Sequence, residues 1–317
     1  MSTIGRILWL VSFFAACSVL ARGQAAMDPL AEARAMLDAG KTQEPEAILR
    51  NYLADNPTSA DAHFLLGYVL FRRQKATESL AEFTTGAKFR RPRADELKIV
   101  AADYVMLNDY SDADKWFSQV VAETPSDADS WYLLGRTKYS ENEFQAAISA
   151  FEQTLVLHPR HIEAQNNIGL CWKELNDREK ARTAFQAAID WQGDTPTDAQ
   201  PFLNLATLLA DEQKNDQALP FLTKAAALSP NNPAIHEELG KVYLAMNKLS
   251  EAQAELERAV ALAPDASALH YKLGQILRKQ GLEDRAQQEF AICERLNGAH
   301  SSTKIPNPPP PKPSGPS

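Results

Sequence analysis

Apolar positions along this chain recur at helical spacing in short blocks separated by polar breaks. Trp131, Leu134 and Tyr139, with Lys138, share one side of a predicted helix. After a break, Phe144, Ala147, Ile148, Phe151 and Leu155 share one side of a second. The two-helix block then repeats. A small residue stands at Gly67, Ala101, Gly135 and Gly169, each step being 34 residues, and the series resumes at Ala206, Gly240 and Gly274 after one step of 37. The same phase selects Ala113, Ala147, Ala181, Ala218, Ala252 and Ala286, then Phe117, Phe151, Phe185, Leu222, Leu256 and Phe290. It closes on Pro125, Pro159, Pro230 and Pro264. A fixed period of this length predicts a solenoid of stacked helix pairs.

Each position has a physical reason. The small residue at Gly135 and Ala147 opposite it let the two helices approach, and Phe151 fills the space between neighbouring pairs. Pro159 stops the second helix because it lacks an N–H and restricts the residue before it. One pair buries too little alone, so copies must stack. The three extra residues are placed around residues 194–198.

The stretch "SWYLLGRTKY…AAISAF…LHP", from Ser130 to Pro159, resembles the tetratricopeptide repeat family in its large residue, Leu-Gly pair, small residue and terminal Pro. The resemblance implies an all-α, right-handed superhelix of stacked antiparallel helix pairs. Eight copies are expected at 26–59, 60–93, 94–127, 128–161, 162–195, 199–232, 233–266 and 267–300, the first being degenerate with Pro45 in place of Ala. The array is expected to end at the eighth copy without a separate capping helix. There Glu294 stands where earlier copies carry Val121, Leu155, Ile189 and Val260, and Ile292 leaves an apolar spot for self-association or the tail.

The two ends differ from the array. Arg6 precedes a 14-residue apolar run, residues 7–20, followed by the small residues Gly23 and Ala25. That run is shorter than the roughly 20 residues that span a bilayer, so residues 1–25 read as a cleaved signal peptide and the protein as exported, periplasmic or secreted. A lipid-bearing Cys17, within "FAAC", and an uncleaved anchor are the rivals. Residues 301–317 are too rich in proline for a core and read as an extended, disordered tail, docking of the proline run in a partner's aromatic groove being the alternative.

The net charge of −8 keeps the chain soluble and disfavours nucleic acid as a partner. Apart from Cys17, Cys171 and Cys293 are the only cysteines, too few for a disulfide-built fold, and both read as small core residues. His236 and Glu237 begin like a zinc-protease helix, but Gly240 stands where the second His is needed. His63, His236 and His270 share the repeat position of Trp131, so packing accounts for them, and no metal or cofactor is expected. No nucleophile motif or phosphate loop occurs and the repeats leave no room for a catalytic domain, which argues against an enzyme. A basic cluster, Arg72, Arg73, Lys75, Lys88, Arg90, Arg91 and Arg93, reads as a solvated face or a docking patch for an acidic partner.

In this family the first helix of each copy commonly lines a concave groove that holds a peptide or partner helix. The groove positions expected here are Tyr68, then Tyr132, Arg136 and Tyr139, then Asn166, Asn167, Leu170 and Lys173, then Leu203, Asn204 and Thr207, then Glu237 and Lys241. Asn167 and Asn204 share one repeat position, and paired amides suit a peptide backbone. The chaperone-tail carboxylate clamp is incomplete, because Tyr132 occupies the place of its first Lys. The expected function is therefore a non-enzymatic interaction scaffold of the bacterial envelope or secreted space. The alternative is a structural subunit of an envelope assembly for polysaccharide export, a pilus or secretion.

Overall fold

A computed structural model describes residues 28–302, with side chains to residue 298. The signal-like segment, Cys17 and residues 303–317 lie outside the described residues. Among the described residues there are sixteen helices and no strand. They form eight pairs: α1 (Pro29–Asp38) with α2 (Gln43–Asp55), α3 (Ala60–Arg72) with α4 (Ala76–Ala87), α5 (Ala94–Met106) with α6 (Tyr110–Glu123), and α7 (Ala128–Ser140) with α8 (Phe144–Leu157). Then follow α9 (Ile162–Glu174) with α10 (Arg178–Asp190), α11 (Gln200–Asp211) with α12 (Asn215–Leu228), α13 (Pro233–Ala245) with α14 (Leu249–Leu262), and α15 (Ser267–Lys279) with α16 (Glu283–Ser302). The fold is an all-α solenoid of helix pairs.

The described chain forms two compact units, one ending at Pro92 and the other beginning at Arg93. The first holds α1–α4 around Leu30, Ala33, Leu49, Leu66 and Leu70. The second holds α5–α16 around a succession of buried clusters that pass from pair to pair.

The turn within each pair is set by one residue in the left-handed region. Gly40, Gln74, Asn108, Asn142, Asn176, Gln213, Asn247 and Gly281 all have φ between 58° and 78°. They follow the 34-residue period with its single step of 37, and most are Gly or Asn, the residues that tolerate this conformation best. Helices restart after the prolines with side-chain caps: Asp127 accepts from the N–H of Asp129, His161 Nδ1 from that of Ala164, and Asn232 from that of Ala234. Pro45 lies in the first turn of α2, where its missing N–H costs nothing.

The repeat glycines serve the large residue of the second helix. A Cβ at Gly135 would stand 2.6 Å from the Phe151 ring, and one at Gly169 would stand 2.5 Å from the Phe185 ring. Phe117, Phe151 and Phe185 are all but fully buried. The insertion is tied down by one side chain: Gln192 Oε1 accepts from the N–H of Thr197 and Asp198, and its Nε2 donates to the Asp198 carbonyl. At the other end, α16 runs 20 residues where α14 runs 14, so Ser301 and Ser302 belong to the helix rather than to the tail. No further helix follows among the described residues.

Candidate functional site

The side chains expected in the groove fall on α7, α9, α11 and α13, all in the second unit, and on α3 in the first. Where α7 meets α9, Arg136, Tyr139, Ser140, Phe151, Asn167 and Leu170 line a cleft of about 240 Å³. Four of the thirteen expected groove residues, Arg136, Tyr139, Asn167 and Leu170, thus share one cavity. Its volume is below the range of drug-sized pockets, roughly 300–1,000 Å³, so it suits a single side chain.

The walls are fixed by packing. Tyr139 sets its ring edge-on to Phe144 at 5.4 Å, and Leu170 rests on the core of the following pair. Tyr132 borders the cleft. Its ring lies 5.8 Å from Phe151 and 4.9 Å from His161, and its hydroxyl accepts from Asn167 Nδ2 at 3.4 Å. Burial pushes the phenols of both Tyr132 and Tyr139 up, so both stay neutral hydrogen-bonding groups. Arg136 is exposed, its guanidinium 6.0 Å from the Tyr132 ring centre, and among the described residues no carboxylate pairs with it. The cleft therefore joins an apolar floor to the Arg136 cation and to the amide of Asn167, whose oxygen and second N–H have no partner among the described residues.

Other expected residues lie elsewhere. Asn204 does not act beside Asn167: its Nδ2 donates to Asn166 Oδ1 at 2.8 Å, and its Oδ1 accepts from Gln200 Nε2 at 2.9 Å. Asn166 and Leu203, expected to face solvent, are only 5% and 7% exposed, because the successive first helices pack against each other on that side. Thr207 is half-buried on α11 outside the cleft. Lys241 pairs with Glu238 at 2.8 Å and with Glu237 at 3.3 Å. Burial pulls its ammonium down, but these carboxylates outweigh it and raise it above the usual lysine range. Tyr68 belongs to the first unit, where its hydroxyl accepts from Arg72 at 3.1 Å.

The basic cluster is largely neutralised within its own units. Arg73 pairs with Glu46, Lys75 with Glu78 at 3.0 Å and Arg90 with Asp61 at 2.9 Å, while Arg93 pairs with Glu96 at 2.9 Å. Glu46 and Asp61 come from neighbouring helices, which the local sequence around the cluster does not reveal. A second cleft, of about 410 Å³ at Ala94, Lys98 and Asp127, has its charges joined by a Lys98–Asp127 bridge of 2.8 Å.

Simple apolar packing does not describe the histidines. His63, His236 and His270 are buried, but each Nε2 lies 2.8 to 3.0 Å from the carbonyl of the proline six residues earlier. Each Nδ1 lies 2.6 Å from a glutamate 19 residues later: Glu82, Glu255 or Glu289. Trp131, half-buried at the same position, keeps only the first arm, its Nε1 donating to the Pro125 carbonyl at 2.9 Å. The His-to-Glu spacing was a readable signal for this latch. Among the described residues no three His, Cys, Asp or Glu side chains stand together as metal ligands.

Comparison with known proteins gives a consistent picture. A family model described as tetratricopeptide repeat matches residues 30–94, 132–199 and 173–233, and a second of the same description matches residues 209–276. Protein FlbA of Caulobacter vibrioides is 25% identical over 142 residues, covering 45% of this chain and 23% of that protein. Protein O-mannosyl-transferase TMTC3 of Homo sapiens is 24% identical over 149 residues, covering 43% of this chain and 16% of that protein. The chain thus spans less than a quarter of the length of these relatives. Among solved structures, a tetratricopeptide repeat protein from Parabacteroides merdae superposes with a TM-score of 0.63 at 17% identity, over 78% of this chain and 97% of that one. PilW, a type IV pilus biogenesis factor, gives 0.57 at 18% identity, over 67% and 95%.

Proposed function

The chain is a member of the tetratricopeptide repeat family, and on that premise we propose that it is a non-enzymatic scaffold holding a partner protein through the groove of its fourth to sixth copies. The observation that carries this reading is the cleft at Arg136, Tyr139, Asn167 and Leu170. An exposed guanidinium beside a side-chain-sized apolar recess suits an extended peptide that inserts one apolar residue and sets a carboxylate next to it. The Asn167 amide then holds the peptide backbone, and Tyr139 adds aromatic contact area. Each hydrogen bond contributes only about 0.5–1.5 kcal/mol net, so binding draws on several contacts along the groove.

The place of action proposed is the bacterial envelope or secreted space. Residues 1–25 support it, by the charge and length of their apolar run. The alternative role, a structural subunit of an envelope assembly, has its support in the likeness to a pilus biogenesis factor, which reaches no further than the fold. One experiment separates these readings. Affinity capture of the mature protein from its native envelope fraction, followed by exchange with excess free partner, gives a monomer with an exchanging ligand for a scaffold. A stoichiometric complex that does not exchange identifies an assembly subunit. Amino-terminal sequencing of the captured protein tests export: a start near Ala26 supports it, and an intact Met1 in the cytoplasm rejects it.

A further inference from the structure

Among the described residues, the last helix pair leaves open a face that every inner copy covers. Phe290 is half-buried, whereas Phe117, Phe151, Phe185, Leu222 and Leu256 at the same repeat position are at most 2% exposed. Cys293 is likewise half-buried, whereas Val120, Thr154, Ala188, Ala225 and Ala259 in its place are at most 1% exposed. Tyr271 is 49% exposed, with its ring 5.7 Å from Phe290, and the Arg278 guanidinium lies 5.4 Å from the Phe290 ring centre. Two fixed aromatic rings beside a guanidinium form the kind of surface on which polyproline segments dock, because prolines stack on aromatic faces at little entropic cost.

We propose that the proline-rich segment at residues 305–313 of this same chain folds back onto that face, setting its prolines on Tyr271 and Phe290 and covering Cys293. The reach is sufficient. Ser302 ends α16 twelve residues past Phe290, about 18 Å along the helix, and a polyproline segment regains that distance in about six residues at ~3.1 Å each. The tether also holds the segment at a local concentration in the millimolar range, which a second copy of the chain does not match.

Cys293 is a natural reporter. In a chain carrying Cys17→Ala, iodoacetamide modifies Cys293 alone, because Cys171 is buried and its thiol is pushed up to about 12. The proposal predicts modification about tenfold slower in the full chain than in one ending at Ser302, the ratio a weak tethered contact gives. Slow modification is independent of protein concentration and is lost when Pro308, Pro309, Pro310 and Pro311 are replaced by Ser at unchanged length. Helical circular dichroism of all three chains should coincide. Equal rates overturn the proposal. So does protection that survives truncation and rises with protein concentration, which identifies a second copy as the cover.

Discussion

Tyr132 and Tyr271 hold the same place in the fourth and eighth copies, and their surroundings show what a neighbouring pair contributes. Both rest on the phenylalanine of their own pair, at 5.8 Å from Phe151 and 5.7 Å from Phe290. Tyr132 is then covered by His161 and bonded to Asn167 from the following pair, and the rim of a cleft results. Tyr271 has no following pair among the described residues and stays half exposed. Inner copies thus turn their repeat residues into a shaped recess, whereas the last copy has no further helix pair over those residues among the described residues.

The largest effect expected from this contrast is on stability. Phe151→Ala should cost about 3–5 kcal/mol, the usual loss for a buried phenylalanine. Phe290→Ala, measured in the chain ending at Ser302, should cost clearly less, because that ring never leaves water completely. Denaturant unfolding followed by hydrogen exchange in each pair checks this, since long arrays need not unfold in one step. Equal losses at the two positions would remove the distinction between inner and end copies.

Next come the latches. His236→Ala leaves Glu255 and the Pro230 carbonyl without their partner and should cost about 1–3 kcal/mol. Trp131→Phe loses one bond only and should cost about 0.5–1.5 kcal/mol. Thermal unfolding of the two variants gives the order directly, and a reversed order refutes the two-armed latch.

A smaller effect depends on pH. The Cys171 thiol is raised from 9.0 to about 12 by burial, so above pH 9 the unfolded chain releases a proton that the folded chain keeps. Stability from this group is intact below pH 9 and falls as pH rises toward 12. At pH 10 the loss relative to a Cys171→Ala variant should be about 1 kcal/mol. Parallel unfolding curves for the two proteins between pH 8 and 10 would contradict this burial.

Much of this was legible in the chain. The period of Gly135, Phe151 and Pro159 made the helix pairs legible, because a small residue facing a large one is a local requirement that recurs from copy to copy, and a proline follows the second helix in several of them. That Arg136, Tyr139, Asn167 and Leu170 share one cleft was legible because helical spacing sets which side of α7 and α9 each occupies. Contacts across helices were not. Asn204 meets Asn166 rather than acting with Asn167, Leu203 turns inward, and Glu46 neutralises Arg73, since helical period fixes a face but not what the next helix sets against it. The left-handed turn at Asn108, Asn142, Asn176 and Asn247 was a further periodic signal in plain view.

The groove itself is tested most directly by titrating the captured partner against the wild-type protein and an Arg136→Glu/Asn167→Ala double variant. Neither side chain supports the core: Arg136 is exposed and Asn167 makes a single long hydrogen bond. The predicted result is a loss of affinity of about tenfold or more, roughly 1.4 kcal/mol, with helical circular dichroism unchanged. Unchanged affinity in the double variant, together with loss of binding when Arg72, Arg73, Arg90 and Arg91 are neutralised, would contradict the account and move the docking site to the first unit.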